Sequence, residues 1–288
     1  AEIMNDLFWE QAYGDKEALL ASIANPQLRT FAEINYGPWD RLDGNTPFLD
    51  NVEEKPAGAN IYPFDMSKAE FEELGLPDEK GQYSMVRRDE AGMVYTIPYN
   101  EYFREPLEEA SGHLMRASEI CEDSELKNYL ELRAKALLSN EYDASDIAWI
   151  NMRNNTLDII IGPIEHYEDQ LYNYRTAYEA YILVKDKSWS KKLEKYISYL
   201  PELQANLPVE DIYKQEKPNS DAAQLNAYDV IYYAGDCNAG SKTIAVNLPN
   251  DEEIQVKYGT RRSQLKNAMK AKFDKILLPI SDVLITED

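Results

Sequence analysis

The chain reads as an α+β protein, and three features of its sequence say so. Short apolar runs that stop at glycine or proline, such as Ile159-Ile160-Ile161-Gly162-Pro163 and Ile244-Ala245-Val246-Asn247-Leu248-Pro249, have the length and composition of strands. Tyr83-Ser84-Met85-Val86-Arg87-Arg88 and Met93-Val94-Tyr95-Thr96-Ile97 flank Asp89-Glu90-Ala91-Gly92, a hairpin signal with a four-residue turn. Tyr102 to Ser139 instead carries apolar residues at helical spacing.

Taken in order, Asn5 or Asp6 can cap a helix through Tyr13, and Asp15 opens a second helical segment. Tyr36 to Pro63 is dense in Gly, Pro, Asn and Asp with aromatics between them, which suits a long ordered loop. The helical stretch after Tyr102 breaks around Glu122-Asp123-Ser124, so two helices joined by a capped turn are expected. Strands are expected at Thr156 to Ile161 and Ala177 to Val184, with Gly162 and Pro163 stopping regular pairing. Ser188-Trp189-Ser190 then caps a helix through Tyr199, and a Pro-rich stretch from Pro201 to Pro218 leads back to strands at Tyr228 to Tyr233 and Thr243 to Leu248. Thr260 to Leu284 is a long helical pattern. The sum is a mixed sheet interrupted by a helical excursion at about residues 186–224, with no internal repeat.

Lys and Arg number 30 against 52 Asp and Glu, giving a net charge of -22. That balance argues against nucleic acid and against anionic membranes, and it favours cationic ligands weakly; a solvated acidic surface is its ordinary explanation. The 288 residues can bury a substantial core without metal or disulfide staples. Cys121 and Cys237 form no framework and read as two buried thiols. No apolar span is long enough for a bilayer, and a leader removed before Ala1 leaves both cytoplasm and periplasm open.

The polar residues at two strand ends carry the chemistry. If Pro163 to Tyr167 stay extended, Glu165 and Tyr167 share one side and His166 faces the other. The second strand ends in Asn247 and Asn250 around Pro249, which biases Leu248 toward extended geometry. A carboxylate pairs with an ammonium, a phenol stabilises developing negative charge, and an amide offers the donor and acceptor a peptide backbone requires. Four such residues can grip a peptide, although a surface Glu, a packed Tyr and a strand-end turn would look the same. Gly235 to Thr243 is a near miss to a phosphate loop, because Ser241 intervenes before Lys242 and a strand follows; it reads as a tight loop. Trp39, Asp40, Arg41 and Asp43 would suit a sugar or calcium site only weakly, and a structured loop with Trp39 buried is preferred. The basic run Arg261, Arg262, Lys266, Lys270, Lys272 and Lys275 reads as the solvated face of a packed helix.

Gly162-x-Ile164-Glu165-x-Tyr167-x-Asp169, Tyr228-Asp229-Val230 with Ala234-Gly235, and Asn247-x-Pro249-Asn250 together resemble the dipeptidyl peptidase III family, peptidase family M49. Tyr36 to Asn45 looks like the family's bacterial branch of zinc-dependent hydrolases, and the likeness runs through nearly the whole chain. The resemblance implies two lobes around a wide cleft, one with a β-barrel core and one mostly helical that holds zinc. Residues 1–185 and 225–258 would then build the β-containing lobe, 186–224 an excursion into the helical lobe, and 259–288 the start of that zinc lobe. It also implies roles: Glu165 holds the free amino terminus of a short peptide, Asn247 and Asn250 its main chain, and catalytic Tyr167 its carbonyl oxygen. Family members bind zinc through a His-Glu-x-x-(x)-His helix and a later glutamate. Here the only histidines, His113 and His166, belong to no such motif, so no metal ligand is assigned in this chain. The expectation is therefore the substrate-binding N-terminal part of a zinc exopeptidase, inactive alone, with zinc ligands and C-terminal partner segment beyond Asp288. The alternatives are a non-catalytic peptide-binding protein complete at residue 288 and, more weakly, a glycosidase using Asp40.

Overall fold

The computed structural model describes residues 1–76, 78–214 and 223–285. The chain opens with α1 (Ile3–Ala12), α2 (Lys16–Ser22) and α3 (Pro26–Asn35), followed by a two-residue ladder of β1 (Trp39–Asp40) with β2 (Thr46–Pro47). After α4 (Lys68–Leu74) comes the expected hairpin, β3 (Ser84–Arg88) with β4 (Val94–Pro98), and then α5 (Tyr99–Tyr102), α6 (Arg104–Ile120), α7 (Ser124–Ser139) and α8 (Asp143–Asn151). Local chemistry sets several of these ends. Asp15 accepts from Ala18 N at 2.9 Å, and Asp123 accepts from the amides of Glu125 and Leu126, so each caps its helix. The first helix differs from expectation: it begins at Ile3 without a side-chain cap, and Asn5 lies inside it. Asn5 Oδ1 is taken up by tertiary bonds, accepting from the Tyr36 hydroxyl and from Gly235 N.

The organising layer is a five-stranded mixed sheet of β5 (Leu157–Glu165), β6 (Ala177–Lys185), β7 (Ala223–Gly235), β8 (Ala245–Leu248) and β9 (Thr260–Leu265), in the order β5-β6-β7-β9-β8. All neighbours are antiparallel except β7 and β9. Gly162 and Pro163 do not end β5: Gly162 pairs with Glu179, Pro163 with Tyr178, and a bulge precedes Glu165. Proline fits because β5 is an edge strand and its missing N–H removes no bond from a second neighbour. Asn250, just past the opposite edge strand β8, donates to Ile164 O at 3.1 Å and so links the two edges.

The helical reading of Thr260 to Leu284 holds only from Lys266 onward. Residues 260–265 form β9, in which Arg261, Ser263 and Leu265 are buried while Arg262 is exposed, the alternation of a strand. Arg261 is therefore no solvated helical cation. Its guanidinium contacts Asp158 at 2.6 Å, Trp149 O at 2.6 Å and the Tyr228 hydroxyl at 2.8 Å, and both members of the ion pair are fully buried. Tertiary pairing with β7 and β8 overrides helix propensity here.

The main core joins α6, α7 and α8 to the sheet through Leu107, Leu130, Leu137, Trp149, Ile160 and Tyr178. In the excursion, Asp186 rather than Ser188 caps α9 (Lys187–Ile197), accepting from Trp189 N at 2.9 Å. That helix packs on β7 and is followed by α10 (Leu200–Ala205) and a 3₁₀ turn at Asp211–Lys214. The remainder of the Pro201 to Pro218 stretch, the end of the excursion and Asp288 lie outside the described residues. After β8, α11 (Glu252–Tyr258) is capped by Asp251. The chain then leaves β9 through α12 (Lys266–Lys272), a π-helical turn (Phe273–Leu277) and α13 (Leu278–Leu284), none of which has a buried residue. Asn267 ties α12 to the sheet by exchanging two hydrogen bonds with the Val230 backbone.

Candidate functional site

Two of the residues singled out in the sequence, Glu165 and Asn250, meet at the ends of β5 and β8. The Leu248–Pro249 peptide is cis, and Asn250 follows it. Asn250 Nδ2 donates to Glu165 Oε2 at 2.9 Å, joining side chains 85 residues apart. Burial pushes the Glu165 carboxyl up, while the Asn250 hydrogen bond and nearby His166 oppose the rise. Glu165 is thus a partly buried acceptor with no ion-pair partner among the described residues. Asn247 is exposed one strand position from the end of β8, where its Oδ1 faces Arg262 Nε at 3.4 Å. No hydrogen bond joins it to the other three candidates among the described residues.

Tyr167 does not continue an extended strand. The chain turns after Glu165, and Tyr167 stands 73% exposed on that turn. It remains beside Glu165, whose negative charge is the largest cause raising its phenol. An exposed phenol that stays protonated is a hydrogen-bond donor to an incoming ligand. His166 Nδ1 lies 3.1 Å from Tyr174 O, and His113 is an exposed residue of α6 beside Glu109 and Arg116. Among the described residues no group of three His, Cys, Asp or Glu side chains is placed to hold a metal, so the residues present do not fit a zinc site.

Three flanking residues, Lys55, Glu168 and Glu179, escaped the sequence reading, and Arg41 and Asp236 were seen only as parts of structured loops. Glu168 is buried and meets Arg41 at 2.6 Å and Lys55 at 2.8 Å, which fastens the loop around Trp39 to the turn that carries Tyr167. Burial pushes the Glu168 carboxyl up, but those two cations outweigh it and hold it at about 2. Glu179 on β6 is buried, and burial, then Asp236 and Glu165, push its carboxyl well up. Asp236, half-buried in a 3₁₀ turn after β7, is raised to about 7 by burial and by Glu168 and Glu165, against Arg41 and Lys55. One signal was available: Glu179 is a charge inside the apolar run Ala177 to Leu183. Gly235 brings Asp236 here. It sits at φ +73°, and a Cβ would fall 2.1 Å from Tyr178 O, so only glycine fits. Under the same strand ends lies a cavity of about 60 Å³ lined by Arg133, Tyr142, Asp146, Ile164 and Asn250. That volume is room for about two waters.

No described helix is long and apolar enough to cross a membrane. Comparison with known proteins gives a consistent set of relatives. Two solved structures superpose closely: the DPP III of Caldithrix abyssi, with TM-score 0.88, 38% identity and 97% of this chain covered, and the dipeptidyl-peptidase III of Corallococcus sp. strain EGB, with TM-score 0.87, 38% identity and 98% covered. In each case the match takes up 55% of the other chain. Among curated proteins, Nudix hydrolase 3 of Arabidopsis thaliana is 34% identical over all of this chain and 45% of its own length. Dipeptidyl peptidase 3 of Nematostella vectensis is 29% identical over 43% of this chain and 16% of its own. The chain thus spans about half the length of the relatives that match it throughout. The model of peptidase family M49 matches residues 78–282, which hold the whole five-stranded sheet, the α6–α8 layer and all four candidate side chains. The chain belongs to peptidase family M49.

Proposed function

We propose that this chain is the substrate-gripping part of a zinc dipeptidyl peptidase that removes dipeptides from unblocked peptides. The observation that supports it best is the Glu165–Asn250 contact, a carboxylate and an amide from two strand ends held 2.9 Å apart at a surface. Glu165 receives the peptide's ammonium, Asn250 orients Glu165 and the first peptide unit, exposed Asn247 bonds the main chain, and Tyr167 donates to the carbonyl oxygen. A site built from a terminal charge and backbone bonds counts residues from the amino end and accepts many side chains. In this reading zinc and the general base come from polypeptide outside this chain.

In the lobe division proposed with this function, residues 1–185 and 225–265 form the β-containing lobe. That moves its last boundary to the end of β9. The described part of the excursion, 186–214, and the segment from Lys266 belong to the helical lobe. Exposed Phe273, Ile276, Leu277, Ile280 and Leu284 on the final helices support this, since they have no cover among the described residues. Cytoplasm and periplasm both accommodate this function. The test is hydrolysis of a tetrapeptide and its N-acetylated form by the longest natural polypeptide carrying this sequence, loaded with zinc. Release of dipeptide from the unblocked form alone, lost in Tyr167→Phe, is expected; equal cleavage of both would overturn the proposal.

A further inference from the structure

Behind Glu165 lies a second carboxyl group without a counter-charge. Glu179 pairs across the sheet with Gly235, so the turn after β7 sets Asp236 beside it. Glu179 is 1% exposed, its Oε1 has no hydrogen-bond partner, and the carboxyl is met only by the Tyr181 hydroxyl, 3.4 Å from Oε2, and by the Cys237 backbone, neither of them a counter-charge. The groups that face this pair are Glu165 from β5, Tyr167 and Glu168 from the following turn, Arg41 and Lys55 from the N-terminal loop, Tyr181 from β6 and Cys237 from the turn itself. Both cations in that set are bound to Glu168, at 2.6 and 2.8 Å. Glu165, Glu179 and Asp236 are left as three neighbouring carboxyls with no ion-pair partner among the described residues. Carboxyls crowded in one partly buried site do not all ionise together, because burial and mutual repulsion both favour a protonated member.

We propose that Glu179 and Asp236 share one proton while the site is empty and release it when an ammonium group docks against Glu165. The inference rests on the reading of Glu165 as an ammonium acceptor. The ligand enters as R–NH₃⁺ and keeps its three protons. One carboxyl O–H bond of the pair breaks, the proton passes to solvent buffer, and the pair gains one negative charge that faces the new cation. No bond to the ligand forms, and no electrons move between groups.

The experiment is calorimetric titration of the protein near pH 7 with an unblocked tetrapeptide, in phosphate and in Tris, whose ionisation enthalpies differ widely. The wild type is expected to release about one proton per peptide, seen as a buffer-dependent enthalpy. The double variant Glu179→Gln with Asp236→Asn is expected to bind peptide with no buffer dependence. A residue that merely supports the fold would not change that proton count. Infrared spectra of the peptide-free wild type provide a check that does not rely on the variant folding: a protonated-carboxyl band is expected at pH 7 and is lost on adding peptide. Binding with no proton release, or no such band in the free protein, overturns the coupling and leaves the peptide site standing. Absence of binding with the band present overturns the ammonium site and the coupling built on it.

Discussion

Glu168 and Glu179 are two buried glutamates near the same strand end, and they are treated in opposite ways. Glu168 has two cations within 2.8 Å and is held ionised at about 2. Glu179 has an oxygen with no partner, and burial raises its carboxyl. Asp158 repeats the first pattern with Arg261 at 2.6 Å. Where the chain must hold a loop or a strand in place, a buried acid carries its own cation. Glu179 has no such cation, and under the proposed function the ammonium docking on Glu165 supplies the missing positive charge beside it.

The largest effect is expected where a compensated pair is broken. Arg261→Met leaves Asp158 buried with the Trp149 indole as donor but no cation, and should cost about 3–5 kcal/mol in urea denaturation. Glu168→Gln strands Arg41 and Lys55 together and should cost about 3 kcal/mol. The pH dependence follows with its sign. Because the Glu168 carboxyl is depressed on folding, its contribution is complete above the ordinary carboxylate range and is lost as pH falls toward about 2; a Glu168→Gln variant should lose that acid limb.

The uncompensated group should behave in the opposite sense. Asp236 and Glu179 are raised on folding, so stability is greatest below the ordinary carboxylate range and declines as pH rises toward about 7, where Asp236 ionises in the folded state. Replacing both acids by amides should flatten that decline in urea midpoints measured between those limits. A smaller effect, about 1–2 kcal/mol in peptide affinity by calorimetry, is expected for Asn250→Ala, which frees Glu165 from its 2.9 Å partner. Tyr167→Phe should shift the folding midpoint least, by under about 0.5 kcal/mol, because its side chain is 73% exposed. Its effect should instead fall on turnover by the natural polypeptide.

Strands β5 to β8, the β3–β4 hairpin and the α6–α7 break were legible because periodicity and turn chemistry are local. Asp123 and Asp15 cap their helices as their positions suggested. Long-range pairing was not legible. Arg261 looks like part of a basic helix until β9 is placed between β7 and β8, and its partner Asp158 lies 103 residues away. Asn5 looks like a cap, yet the Tyr36 hydroxyl and the Gly235 amide claim it. The four candidate side chains were found from strand ends and family likeness, but nothing local told that Asn250 would reach Glu165 while Asn247 faces Arg262. The turn at Tyr167 was hidden for a related reason, since Glu168 and Asp169 fold inward to partners in the N-terminal third of the chain.

The most direct test of the account is calorimetric comparison of a free tetrapeptide and its N-acetylated form, on wild type and on Glu165→Gln. The account predicts that acetylation and Glu165→Gln each weaken binding at least tenfold, about 1.4 kcal/mol, and that the second change adds little once the first is made. Equal affinity for both peptides on the wild type would contradict it.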